Sequence, residues 1–166
     1  RMMGFDTVMT RREDISIHDD SAKTIRQQKI SDLHNRLKLI NETPDCLFIS
    51  IHQNSYPYPN NTGTQVFYSP NNPESQALAA SIQQSVIRLI QPQNTRKVKK
   101  SGTEIYLLYQ AKTPAVMVEC GFMSNAQETE KLRTEAYQNE LALSIFYGVL
   151  SYLNGIGTAG AAPATQ

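Results

Sequence analysis

Apolar positions along the chain follow two rhythms in turn. Phe5, Val8 and Met9 predict a strand over 5–10, and the polar stretch 11–21, with four acidic residues, predicts a loop. Ile30, Leu33, Leu37 and Ile40 then recur at helical spacing and share one face. Pro44-Asp45 closes that unit. The run 46–51 is nearly all apolar, as in a strand covered on both faces. Residues 54–63 are rich in Pro, Asn and Gly and predict a loop, and 64–68 predict another strand. Ala77, Leu78, Ile82, Val86, Leu89 and Ile90 predict an amphipathic helix. Segment 91–102 is polar and basic, a loop, and 105–108 a short strand. Pro114 opens a further apolar strand, 115–118, a tolerated place for proline. Ser124 with Gln127 resembles a capping box. Leu141, Ile145, Val149 and Tyr152 mark a final helix that Gly155 caps. Strands alternating with helices imply an α/β fold, a mostly parallel twisted sheet with helices on both faces.

Length and charge narrow the options. At 166 residues and 40% hydrophobic, the chain suits one packed domain, 1–154, and the small uncharged segment 155–166 reads as a flexible tail. The formal charge of +1 supplies no global field for a nucleic-acid backbone, so no nucleic-acid partner is expected. No run reaches the roughly 18 apolar residues of a membrane span. Cys46 and Cys120 do not make a disulfide framework. The chain opens Arg1-Met2-Met3 without a signal peptide in view.

Chemistry gathers where two apolar strands end. His52, Gln53 and Asn54 follow one, and Glu119, Cys120 and Gly121 follow the other. Open α/β sheets bind ligands beyond the carboxyl ends of their strands. His52 and Glu119 would share one cleft if their strands are neighbours. Types alone favour a plain hydrogen-bonded role for His52. A carboxylate after Val116-Met117-Val118 is harder to dismiss, because such a group is seldom buried without a partner. Asn54 either contacts substrate or holds its loop.

The ordered set Thr10-Arg11-Arg12-Glu13-Asp14, Ser50-Ile51-His52-Gln53-Asn54 and 114–125 (PAVMVECGFMSN) resembles the zinc-dependent N-acetylmuramoyl-L-alanine amidases. Asp32-Leu33-His34-Asn35-Arg36 is similar to a helix motif of that family, and Tyr137-Gln138 to its late YQ pair. The stretch 29–36 and Glu104-Ile-Tyr-Leu-Leu108 look most like the spore-cortex, germination-specific branch. The resemblance implies cleavage of the amide between muramic acid and L-alanine of the stem peptide. It makes His52 a Zn2+ ligand and Glu119 the catalytic base. It also implies a peptidoglycan muropeptide substrate, action outside the cytoplasmic membrane in cell wall or spore cortex, and export by a signal not in this chain. In the cortex branch the product feeds muramic lactam formation, with a deacetylase as pathway partner.

One departure stands out. The family pattern includes an upstream His in a DPGHGG motif and a Glu on the next helix as further zinc ligands, and neither is in this sequence. The expectation is an N-terminally truncated domain that alone binds zinc weakly and hydrolyses poorly, with an exposed sheet edge. His34 reads as solvated, and His18 lies in an acidic loop.

Two other functions stay open: a non-catalytic wall-binding or regulatory module, and a cysteine hydrolase using Cys120 with His52. Alternation along a strand argues against the second, since Glu119 and Cys120 point to opposite faces. The basic cluster 96–100 reads as a solvated loop. Tyr56 and Tyr58 suit either sugar stacking or a stiffened turn.

Overall fold

The computed structural model describes residues 5–155, and the chain divides into two compact units, Arg1–Cys46 and Leu47–Gln166. The predicted tail, apart from Gly155, lies outside the described residues.

The first unit is built on one helix, α1 (Ile25–Glu42). Thr24 caps it: its hydroxyl accepts the Gln27 N–H at 3.2 Å, and the Gln27 side chain accepts the Thr24 N–H at 3.0 Å. Asp32 is buried on this helix, accepts the Ile17 N–H at 2.8 Å and pairs with Arg36 at 2.7 Å. Asn35 donates to the Ile17 carbonyl at 2.7 Å, so the helix motif straps the preceding loop to its own flank. The strand predicted over 5–10 is not formed; that segment is irregular. Its three apolar residues have no ladder to join among the described residues, and all three are exposed.

The second unit holds strands β1 (Phe48–Asn54), β2 (Gln65–Tyr68), β3 (Lys99–Lys100) and β4 (Ala115–Phe122). With them come helices α2 (Glu74–Leu89), α3 (Tyr106–Gln110), α4 (Ala126–Leu132) and α5 (Glu135–Leu153). The sheet order is β1-β4-β2-β3. β1 runs parallel to β4, and β3 parallel to β2; only β2 against β4 is antiparallel. The α/β class and the mostly parallel sheet are therefore as expected.

β4 is the inner strand whose residues are nearly all buried. Its Val116, Val118 and Cys120 form one apolar core with Val66 of β2, Leu78, Ile82 and Val86 of α2, and Leu141, Ile145 and Val149 of α5. The spacing of four along α2 puts its three large residues on one stripe, which leaves Leu89 outside at 45% exposure. α2 and α5 approach closely where Gly148 faces Ile82, and the Ser81 hydroxyl donates to the Gly148 carbonyl at 2.8 Å.

Several boundaries differ from the sequence pattern. β1 is an edge strand with Ile51 at 56% exposure, so its apolar run does not mean cover on both faces. Segment 105–108, predicted as strand, lies at the start of α3 and buries Leu108. A short apolar run cannot by itself separate the two states. Lys99–Lys100 forms a strand within what the pattern gave as loop, because the pairing is through backbone alone. The cap of α4 is Asn125, whose side chain accepts the Glu128 N–H at 3.0 Å, not Ser124. Gly155, at φ 71°, follows the last helix in the left-handed conformation its predicted capping role requires.

Candidate active site

β1 and β4 are longer than the apolar runs that announce them, and they carry His52 and Glu119 inside the sheet. The two residues are register partners on adjacent parallel strands. On β4's other side the partner of Glu119 is Gln65 of β2. Register partners point to the same face, so His52, Glu119 and Gln65 form a row across three strands. Alternation turns Val118 and Cys120 the other way, into the helix-covered core, and leaves this row on the opposite face.

The register then slips. From His52 to Asn54, β1 advances two residues, while β4 advances three, from Glu119 to Phe122. The extra residue on β4 falls at Cys120-Gly121 and re-aims Phe122, which becomes the partner of Asn54 on the site face. The same turn serves as a clasp for the loop after β1. The Met123 N–H donates to the Asn54 carbonyl at 2.7 Å, and the Asn125 amide donates to the Pro59 carbonyl at 2.8 Å. Tyr56 donates its N–H to the Ser124 hydroxyl at 3.4 Å. The loop so held carries Tyr56 and Tyr58 exposed, with ring centroids 5.5 Å apart.

Electrostatics single out Glu119. Its Oε2 is buried without a hydrogen-bond partner, and burial pushes its carboxyl above the ordinary glutamate value. A buried carboxylate oxygen left without a partner is a proton acceptor without a structural task. His52 lies exposed beside it. Cys120 is buried, and desolvation, then the Glu119 charge, push its thiol up to about 11. At neutral pH it is no nucleophile, and it faces away from His52.

Behind the row, buried polar side chains lock β2 to β4. Thr64 donates its hydroxyl to the Cys120 carbonyl at 2.8 Å and its N–H to Gln91 Oε1 at 2.9 Å. Gln83 accepts the Val66 N–H at 2.9 Å and donates to the Thr64 carbonyl at 3.0 Å. Neither Gln65 nor this network was singled out by sequence reasoning. Only the strand order places Gln65 next to Glu119.

For metal binding the donor set is short. Among the described residues no group of three or more His, Cys, Asp and Glu is placed to hold an ion. His18 and His34 belong to the first unit.

Fold and site together describe an α/β chain organised around a half-buried carboxylate with one orphaned oxygen and an imidazole in register beside it. The chain belongs to the N-acetylmuramoyl-L-alanine amidase family, whose profile matches residues 1–151. It is 35% identical over 150 residues to the germination-specific N-acetylmuramoyl-L-alanine amidase of Bacillus subtilis (strain 168), covering 90% of this chain and 62% of that protein. It thus spans under two thirds of that relative's length. Among solved structures it is similar to the CwlD amidase of Clostridioides difficile, determined in complex with the GerS lipoprotein. The TM-score is 0.85 at 35% identity, over 89% of this chain and 75% of that one. An N-acetylmuramoyl-L-alanine amidase from Clostridium difficile 630 matches at TM-score 0.67 and 30% identity, over 77% and 67%. These likenesses point to the germination-specific branch of the family. No described helix is long and apolar enough to cross a membrane.

Proposed function

We propose that this chain is the catalytic domain, over 1–154, of an enzyme that hydrolyses the amide between N-acetylmuramic acid and L-alanine in peptidoglycan. The observation that carries the reading is Glu119: a carboxylate with one buried, unpartnered oxygen, its pKa pushed up by burial, in register with His52. A carboxylate in that place is the type of group that acts as general base toward water and then as general acid toward a leaving amine. In the proposed cycle Glu119 takes a proton from the attacking water as its oxygen bonds to the lactyl carbonyl carbon. The C–N bond then breaks, and the departing nitrogen receives that proton from Glu119. The products are a lactyl carboxylate and the free amine of L-alanine. Asn54, on the same face one turn of the pleat beyond His52, suits a hydrogen bond to the substrate.

Zinc fits this site in part. His52 is a donor of the right type and would hold the ion, while the described residues offer no further set to complete its shell. When bound, the metal would polarise the carbonyl and acidify the water. The site of action is proposed to be outside the cytoplasmic membrane, in the wall or spore cortex. There the freed muramic acid would go on to lactam formation with a deacetylase.

The buried, inert thiol of Cys120 removes the support for a cysteine mechanism. Digestion of purified muropeptides by full-length protein, followed by mass spectrometry, tests the proposal. Release of peptides with a free L-alanine amine, lost on chelation and in Glu119→Ala but resistant to iodoacetamide, is the expected result. Cleavage by Glu119→Ala at the normal rate would overturn the assignment of the base, and no cleavage by the wild type would favour a wall-binding role without catalysis.

A further inference from the structure

Arg96 stands on the site face in an unusual state for a cation. Its Nε donates to the Thr62 carbonyl at 2.6 Å, Nη1 to Gln65 Oε1 at 3.4 Å and Nη2 to Asn61 Oδ1 at 3.3 Å. Its Cζ lies 4.5 Å above the ring of Phe122. Backbone contacts fix its base, since the Arg96 N–H donates to Asn94 Oδ1 at 2.9 Å. Gln65 is held in turn by a 3.0 Å bond to the Lys97 carbonyl. The guanidinium is therefore pinned at the rim of the row that contains Glu119, half-buried and in one orientation.

Among the described residues no carboxylate pairs with it, whereas Arg36 pairs with Asp32 at 2.7 Å. A guanidinium carries five N–H donors, and three bonds account for three of them. Every partner is neutral. A neutral amide would serve as well if the only task were to strap 61–62 to β2, and would avoid partly desolvating an unpaired charge. A second cation faces the same way: Lys99 is the register partner of Phe67 and sits 5.8 Å from its ring. Phe67 pairs with Met117 and so shares the face of Glu119. Two cations thus face this side of the row, and the Arg96 fork is held in one orientation, an arrangement suited to a carboxylate.

We propose that Arg96 binds a carboxylate on the peptide attached to the substrate, and so sets specificity for peptides that carry one within reach. The inference rests on the amidase reading and adds to it the chemical group recognised. Gln65 lies one strand spacing from Glu119, about 4.8 Å, and its side chain extends the gap toward Arg96. An extended peptide advances about 3.4 Å per residue. A carboxylate on the second or third residue from the scissile amide therefore falls within reach. The unused N–H groups of Arg96 would take its oxygens, and the stack on Phe122 would keep the fork from turning away.

The test uses full-length protein and two N-acetylmuramoyl tetrapeptides that differ only at the second residue, whose side carboxylate is free or converted to the carboxamide. Binding is measured by calorimetry, and release of free L-alanine amine is followed in parallel. The wild type is expected to prefer the acid form by about tenfold, the scale of one charge-assisted hydrogen-bonded contact. Arg96→Gln is expected to bring the two affinities together by weakening the acid form alone. Arg96→Lys keeps the charge and should retain part of the preference. Equal loss for both ligands in both variants would mean a structural strap and would overturn the proposal. So would a wild type that does not discriminate, or binds neither. Discrimination lost in Arg96→Gln without any amide cleavage by the wild type would sink the amidase reading and leave carboxylate recognition standing.

Discussion

Glu128 accepts the backbone N–H of Gly63 at 2.7 Å, across 65 residues of chain. Its second oxygen accepts the Phe122 N–H, also at 2.7 Å. One carboxylate therefore joins the start of β2 to the end of β4, just beyond the Glu119–Gln65 pair. Gly121 makes the approach possible: a Cβ there would lie 3.1 Å from Glu128 Oε2.

Removing that carboxylate should loosen both strands together. Two charge-assisted hydrogen bonds lost at a half-buried position predict a destabilisation of about 3 kcal/mol for Glu128→Ala. Glu128→Gln keeps one acceptor and should cost about half as much. Urea unfolding of the three proteins measures both. Equal midpoints for wild type and Glu128→Ala would show that the clasp contributes nothing.

Glu119 should be a stability liability as well as a base. Burial raises its pKa, so the folded, metal-free chain binds that proton more readily than the unfolded chain does. The sign follows from linkage: its contribution is most favourable below the ordinary glutamate range and is lost as pH rises through the folded value. Glu119→Gln, which stays neutral, should then be more stable than wild type near neutral pH. The two should converge below about pH 4, where both side chains are uncharged. Urea midpoints at both pH values in the presence of a chelator check this. A stability difference that is flat with pH would contradict the assignment.

Much of this site was legible in residue types and little of it in position. The run 115–118 announces the buried inner strand because it is continuous and apolar. His52 and Glu119 stand out as polar residues that follow such runs. What the chain alone does not carry is pairing. β1 and β4 are separated by 60 residues, and their register, with the slip at Cys120-Gly121, arises only when both strands meet. Gln65 lies inside an ordinary strand pattern and becomes interesting only as Glu119's neighbour. Arg96 is visible in sequence as one of several cations, and its fixed orientation depends on Phe122 and 61–62. Segment 105–108 misleads because Ile, Tyr and Leu suit a strand, whereas burial of Leu108 and a bond from Ser69 to its carbonyl at 2.6 Å favour one helical turn.

Cys120 should be silent toward thiol reagents. Its side chain is in the core, and its pKa of about 11 leaves little thiolate at pH 8. Iodoacetamide treatment of the native protein, with peptide mapping, should label Cys46, which is half-buried, well before Cys120. In urea both should react. Rapid native labelling of Cys120 would show that the α2–α5 layer opens far more readily than its packing implies.

That layer depends on Gly148. A Cβ built there would lie 2.5 Å from the Ile82 Cα and 3.0 Å from its nitrogen, and backbone cannot swing aside as a side chain can. Gly148→Ala gains helix propensity worth about 1 kcal/mol, yet must push two helices apart at the centre of the core, where overpacking costs about 1–3 kcal/mol and more when backbone moves. The second effect should win. The Ser81 bond to the Gly148 carbonyl would stretch with it. Gly148→Ala is therefore expected to lower the thermal midpoint, whereas Ser81→Ala, which removes the hydrogen bond without the clash, should lower it less. A midpoint for Gly148→Ala at or above that of the wild type would mean that helix propensity outweighs the close approach, and that α2 and α5 yield without penalty.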